Sequence, residues 1–243
     1  KYALPIRVSS DGSIQEERQG TKYILLLDKP WSQFTPYLNS TGGFMSENVK
    51  TLSMEYFTIE FWIWMAGFDN QCVIDSPSFY IRLGNANNQI SKDQMQINIF
   101  GQSAENNKGF FTEFHFQKNT WTHVAMVYDQ TKCYFYANGK KVQEVDATGV
   151  PADMSSITFF NANTKNEHMM GQVRLWNKVL TQAEIESNMG GPVTVNSNLI
   201  GYWKMDEGSG DVIYDSSGNG NDATIVTGKI IEWRPDQCFT KSK

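Results

Sequence analysis

The sequence predicts an all-β fold, a sandwich of two antiparallel sheets with one short helix. Three observations carry that expectation. The first is WTHVAMVYDQTKCYFYANG, residues 121–139, where two runs dense in aromatic and β-branched residues flank a short polar break. Such residues suit a pleated, packed surface, and a short polar loop between two such runs is a hairpin signal. The second is Asn138-Gly139 at its end, a pair that tolerates the positive φ of a tight turn and reverses the chain into residues 140–145. The third is that both alternate faces of 121–128 are apolar or aromatic. Trp121, Ala125 and Val127 lie on one, Val124, Met126 and Tyr128 on the other. A strand apolar on both faces sits between two layers rather than on a solvated edge.

The elements follow in order. Residues 3–8 and 22–27 are strand-like runs around a polar connection, with turn chemistry at Ser9-Ser10-Asp11-Gly12. From 28 to 53 Pro30, Pro36 and Gly42-Gly43 punctuate short apolar pieces and no element is assigned. FTIEFWIW, 57–64, alternates cleanly, and 72–75 and 78–83 are short strands split by Ser76-Pro77. An Asn-rich loop at 84–94 leads to a strand at 95–100, and a polar loop at 101–109 to FFTEFHF at 110–116. Strands at 157–161 and 172–176 complete a set at short, regular spacing, the pattern of an all-β sandwich. Thr181-Gln182-Ala183-Glu184 is a capping box, so a helix begins there and stops at Gly190-Gly191-Pro192. Ala183, Ile185 and Met189 are expected to pack it onto the sandwich edge, and 234–243 has no core pattern. No solenoid-type repeat is present.

Composition bounds the function. A chain of 243 residues holds one large β domain, or one domain with a fragment of another. Charged residues, 19%, fall below the usual share of about a quarter, which suits a surface rich in hydroxyls and amides. A net charge of −5 with no basic stripe excludes nucleic acid as a partner. No run approaches the ~18 apolar residues of a membrane span. No signal peptide is visible and Lys1 starts in strand-like sequence, so the chain is expected to be mature or trimmed. Cys72, Cys133 and Cys238 contain no C-x-x-C pair, which excludes a zinc knuckle or a thioredoxin-like site and predicts buried thiols packing as small hydrophobes.

Four stretches carry a resemblance. W-x-H-V-A followed by an aromatic run and Asn-Gly, FTIEFWIW at 57–64, GQVRLWNKVLTQAEI at 171–185 and LIGYWKMDEGSGDVIYDSSGNGNDATI at 199–225 together resemble, in order, the laminin-G-like, concanavalin A-like jelly-roll family. The resemblance implies a jelly-roll domain over 28–233. Residues 1–27 resemble the last hairpin of a small sandwich domain of Bacteroidetes surface glycan-utilisation lipoproteins; the alternative is that they open the main sandwich. Residues 234–243 are then a tail or linker. The implied setting is an exported protein at the outer-membrane surface or in the periplasm, with other glycan-utilisation proteins as neighbours.

That fold hosts both lectins and glycosidases, so activity must be argued from side chains. Retaining glycosidases need two carboxyls about 5–5.5 Å apart, and a catalytic strand would carry acids at alternate positions. No strand does; Glu60 and Glu113 stand alone among aromatics. His115, His123 and His168 lack metal-type spacing, and His123 belongs to the W-x-H-V-A motif, where a structural role is expected. There is no G-x-S-x-G and no phosphate-cradling loop, and no catalytic residue is assigned.

A metal candidate is Asp215-Ser-Ser-Gly-Asn-Gly-Asn-Asp222. Asp215, Ser217, Asn219 and Asn221 alternate, Asp222 follows, and Gly220 permits a sharp turn, so these residues are candidate calcium ligands. Val226 stands where an EF-hand has its glutamate, which excludes that motif. Some laminin-G-like domains bind calcium at the sandwich edge, but the acidic I-D-E that often precedes their late strand is here Met170-Gly171-Gln172. The competing and preferred reading is a turn whose Asx side chains bond their own backbone. Glycan binding needs aromatic faces ringed by amides. Tyr80, Asn85, Asn87, Phe111 and Asn163, in or beside the Asn-rich loops, are the candidates, whereas Trp62 or Trp64, Trp121, Trp176 and Trp203 are expected in the core. The function expected is non-catalytic glycan binding; an adhesive spacer is the alternative and a glycosidase the third choice.

Overall fold

The structure is a computed structural model that describes residues 7–8, 14–18, 21–25, 35–38, 42–47, 54–68, 71–84, 92–99, 108–149, 155–162, 168–225 and 232–234. Strands β1 (Arg7–Val8), β2 (Ile14–Arg18) and β3 (Thr21–Leu25) form an antiparallel sheet of their own, in the order β1-β2-β3. Two eight-stranded antiparallel sheets make the sandwich. The strands are β4 (Thr35–Leu38), β5 (Gly42–Glu47), β6 (Phe57–Met65), β7 (Gln71–Asp75), β8 (Phe79–Leu83), β9 (Met95–Ile99) and β10 (Lys108–Phe111). There follow β11 (Thr122–Tyr128), β12 (Lys132–Ala137), β13 (Lys140–Asp146), β14 (Ser156–Ala162) and β15 (His168–Trp176). After helix α1 (Gln182–Met189) come β16 (Leu199–Trp203), β17 (Val212–Ile213), β18 (Ala223–Ile225) and β19 (Glu232–Arg234). The first large sheet runs β10-β9-β8-β7-β14-β5-β18-β17; the second runs β13-β12-β11-β6-β15-β4-β19, with β16 also paired to β15.

The two-sided strand at the centre behaves as its sequence requires. Val124, Met126 and Tyr128 of β11 join Phe57, Ile59, Phe61 and Ile63 of β6 in the core between the sheets, together with Ile81, Ile97 and Phe159 from the first sheet. Ala125 and Val127 face the other way, into a second cluster with Trp176, Leu199, Tyr202 and Ile185 of α1. The helix therefore lies on the outer face of the second sheet, not at the sandwich edge. Ile185 is its buried residue, while Ala183 is exposed and Met189 half-buried. Its capping box is formed as expected, Thr181 Oγ1 accepting from the Glu184 amide and Glu184 reaching back to the Thr181 amide. Asn138 and Gly139 both take positive φ, +49° and +77°, in the turn between β12 and β13.

Three expectations change. The region 28–53, left without elements, holds β4 and β5, two strands whose prolines and glycines erase a local strand signal. The strand expected at 110–116 ends at Phe111, because Thr112 uses its hydroxyl to accept the Met95 amide and the chain leaves the ladder. Phe114 and Phe116 still reach the core, their rings edge to face at 4.8 Å. The late strand at 172–176 begins four residues earlier, at His168, across a bulge at Gly171–Arg174 where Gln172 has φ +55°. Cys72 and Cys133 are free, buried thiols, and Cys238 lies outside the described residues. Desolvation pushes the Cys72 thiol up to about 12 and the Cys133 thiol up as well, so neither is a ready thiolate.

Candidate functional site

The outer face of the first sheet at its β10 end gathers two of the aromatic candidates. Strand alternation sends Phe79, Ile81 and Leu83 inward and leaves Tyr80 and Arg82 outward; on β9, Met95, Ile97 and Ile99 go inward and Gln96 and Asn98 outward. Pairing then sets these residues in two rows. Asp75, Tyr80, Asn98 and Gly109 are successive cross-strand partners, and so are Cys72, Arg82, Gln96 and Phe111. Neighbouring strands are about 4.8 Å apart, so Arg82 and Phe111, two strands from each other, are roughly 10 Å apart. The Arg82 guanidinium lies over the Tyr80 ring, 4.3 Å from its centroid. Gln96 Nε2 donates to Asn98 Oδ1 at 3.4 Å. Asn98 leans over Gly109, where an added Cβ would sit 2.6 Å from Asn98 Oδ1.

The result is a shelf with an aromatic ring toward each end and amide and guanidinium groups between, all partly exposed. Sugars present apolar C–H faces and hydroxyl edges, and such a surface meets both. Of the residues predicted for glycan binding, Tyr80 and Phe111 come together here; Asn85, Asn87 and Asn163 lie outside the described residues. Arg82, Gln96 and Asn98 were not foreseen. Their outward orientation is readable from alternation, but their shared rows depend on register between strands far apart in sequence.

The Asp215 loop is tied to its own backbone. Asp215 Oδ1 accepts the amides of Tyr202 and Ser217, each at 2.9 Å, and Oδ2 accepts the Asn221 amide at 3.0 Å and the Ser217 hydroxyl at 2.7 Å. Asn219 Nδ2 donates to the Leu199 and Ile200 carbonyls, and Asn221 Nδ2 to Ile200 at 2.8 Å. Asp222 Oδ1 accepts the Asp215 amide at 2.8 Å. The five candidate ligands thus sit in one turn, with both Asp215 oxygens filled by N–H and O–H donors and Gly218 and Gly220 at positive φ. Among the described residues no group of three or more His, Cys, Asp or Glu side chains is placed to hold a metal ion.

Glu60 is enclosed beneath α1 on the second sheet. Its Oε1 accepts Trp176 Nε1 at 3.0 Å and Asn188 Nδ2 at 2.8 Å, with Arg174 Nη1 3.5 Å away. Arg174 also donates to the carbonyl of Asn188 in the last turn of the helix and to that of Gly191 just beyond it. Burial raises the Glu60 carboxyl, partly offset by Arg174 and the Trp176 and Asn188 hydrogen bonds. His123 is fully buried 3.7 Å from Glu60 Oε2, and burial with the nearby Arg174 charge lowers it to about 3, so its ring is neutral. Glu113 is exposed. Trp176 and Trp203 are core residues, but Trp121 is partly exposed, as are Trp62 and Trp64.

A family model for the concanavalin A-like lectin/glucanases superfamily, of laminin G type, matches residues 38–186, more than half of the chain. The chain belongs to this superfamily. No curated protein sequence matches it. Among solved structures it is similar to a candidate carbohydrate binding protein from Bacteroides ovatus, with a TM-score of 0.66 and 24% identity over 85% of this chain and 61% of that one. It is also similar to a heptameric SAP-like pentraxin from Limulus polyphemus, TM-score 0.53 and 12% identity, over 84% of this chain and 96% of that one. These likenesses concern the fold. The chain spans 61% of the length of the Bacteroides ovatus protein.

Proposed function

We propose that this chain binds a glycan, without catalysis, on the outer shelf of the first sheet. The observation that carries the reading is the placement of Tyr80 and Phe111 on one face with Arg82, Gln96 and Asn98 between them. The likeness to a candidate carbohydrate binding protein supports it. A glycosidase reading draws on Glu60, but that carboxyl is fully buried and bonded to Trp176 and Asn188, away from any substrate. The setting we propose is the surface of a Bacteroidetes cell, where an exported protein holds polysaccharide or glycoprotein glycans for neighbouring utilisation proteins. Residues 1–27 are then the end of a preceding domain, in keeping with β1–β3 forming a separate sheet. Calcium is not required in this reading, since the Asp215 oxygens are already hydrogen-bonded.

The test is a glycan array with the purified chain, with calcium and then EDTA, alongside Tyr80→Ala and Phe111→Ala. Binding that survives EDTA and falls at least tenfold in each variant is the expected result. No glycan bound by folded protein would move the reading to an adhesive spacer. Binding unchanged in both variants, but lost in Trp64→Ala, would move the site to the outer face of the second sheet.

A further inference from the structure

We infer that the glycan is acidic, and that Arg82 receives its carboxylate or sulfate group. The inference rests on the shelf being the glycan site. Arg82 holds the middle of one row, between Cys72 on one side and Gln96 and Phe111 on the other. Its guanidinium lies over Tyr80 at 4.3 Å, which limits the rotation of an otherwise flexible side chain. Pre-orientation of this kind favours bidentate recognition of planar anions.

Charge accounting points the same way. Among the described residues Arg174 faces Glu60, Lys132 faces Glu144 and Lys178 faces Glu184, whereas half-buried Lys204 has no ion pair and lies over the Tyr202 ring. Among the described residues Arg82 forms no ion pair. Its Nε is enclosed without a hydrogen-bond partner, and its guanidinium also lies within hydrogen-bonding reach of the buried Cys72 thiol. Asp75 is on the adjoining row, opposite Tyr80 rather than Arg82. Gln96 and Asn98 bring amides that suit hydroxyls flanking the acid group, and Tyr80 and Phe111 supply faces for the rings on either side.

The experiment pairs each acidic polymer with its neutral counterpart: polygalacturonate with its carboxyl-reduced form, and dextran sulfate with dextran. Affinities are measured at low and high NaCl for the wild type, Arg82→Gln, Arg82→Lys and Tyr80→Ala, each first shown to be folded by its thermal midpoint. We expect at least one acidic polymer to bind tenfold or more tightly than its neutral partner, with the preference falling as salt rises. Arg82→Gln should erase that preference and Arg82→Lys keep part of it. The first pair alone showing the preference assigns a carboxylate, the second alone a sulfate. Equal binding of acidic and neutral members, or a preference that Arg82→Gln leaves intact, overturns the inference. In that event loss of neutral binding in Tyr80→Ala still upholds the shelf. Failure of every acidic polymer to bind also overturns it, and the shelf itself is then decided by the array with neutral glycans.

Discussion

Asn188 Nδ2 donates to Glu60 Oε1 at 2.8 Å, joining the last turn of the helix to a strand 128 residues earlier. Arg174 closes the link by reaching the Asn188 carbonyl at 2.9 Å while lying 3.5 Å from the same carboxyl. Removing one partner of such a buried pair strands the other charge. Glu60→Ala is expected to cost about 3–5 kcal/mol. Glu60→Gln keeps an acceptor for Trp176 and Asn188 and should cost less. The double variant Glu60→Met with Arg174→Met should cost less than the sum of the singles, because both lose one shared interaction. Urea unfolding of the wild type, Glu60→Ala, Glu60→Gln, Glu60→Met, Arg174→Met and the double variant checks this.

His123 makes stability depend on pH. Its folded pKa of about 3 lies below the ordinary 6.5, so between these values the unfolded chain binds the proton that the native state refuses. Stability is fully present above about pH 6.5 and falls with pH below it. By pH 5 the loss is roughly 2 kcal/mol. Glu60, whose carboxyl is raised, acts in the opposite sense, so the comparison is with His123→Gln rather than with zero slope. The difference between wild type and variant in urea midpoint should shrink as pH falls from 7.5 to 5.

Gly109→Ala separates the shelf from the fold. The new Cβ would meet Asn98 Oδ1 at 2.6 Å, and the amide, the end of a flexible side chain, can swing aside. Glycan affinity should fall several-fold while the thermal midpoint changes little. An affinity equal to wild type would show that Asn98 does not contact the ligand.

Gly201→Ala should do the reverse. Its Cβ would lie 2.2 Å from the Trp203 indole, which is fully buried against Phe159. Trp203 cannot move freely, since its Nε1 donates to the Asn221 carbonyl at 2.7 Å. Overpacking of this kind should cost about 3 kcal/mol in chemical denaturation.

The Asp215 turn makes a prediction about calcium. Four hydrogen bonds converge on the Asp215 carboxylate, so Asp215→Ala should lower stability by about 2–3 kcal/mol through unsatisfied amides. Calcium and EDTA should leave the wild-type thermal midpoint unchanged. A rise of several degrees with calcium would mean that the loop rearranges to bind it.

Much of this was legible in the chain. The hairpin at 121–139, the two-faced β11 and the capping box of α1 stand in the structure as the local pattern requires, because alternation, turn chemistry and capping act over a few residues. The strands at 35–38 and 42–47 were not legible, since Pro36 and Gly42-Gly43 hide a pairing supplied by β14, β15, β18 and β19. Trp121, expected in the core, is partly exposed, since hydrophobicity alone does not say how far a ring is covered.

The sequence by itself determined the alternation of β6 and β11, and it put Tyr80 and Phe111 beside the Asn-rich loops as candidates for a glycan face. Only the tertiary structure decided that Tyr80 stands beside Asn98, that Arg82 shares a row with Gln96 and Phe111, and that Glu60 meets Asn188. Alternation is a property of one backbone, whereas register is a property of two. A slip of one residue between β8 and β9 would leave each strand's pattern unchanged and scatter the shelf.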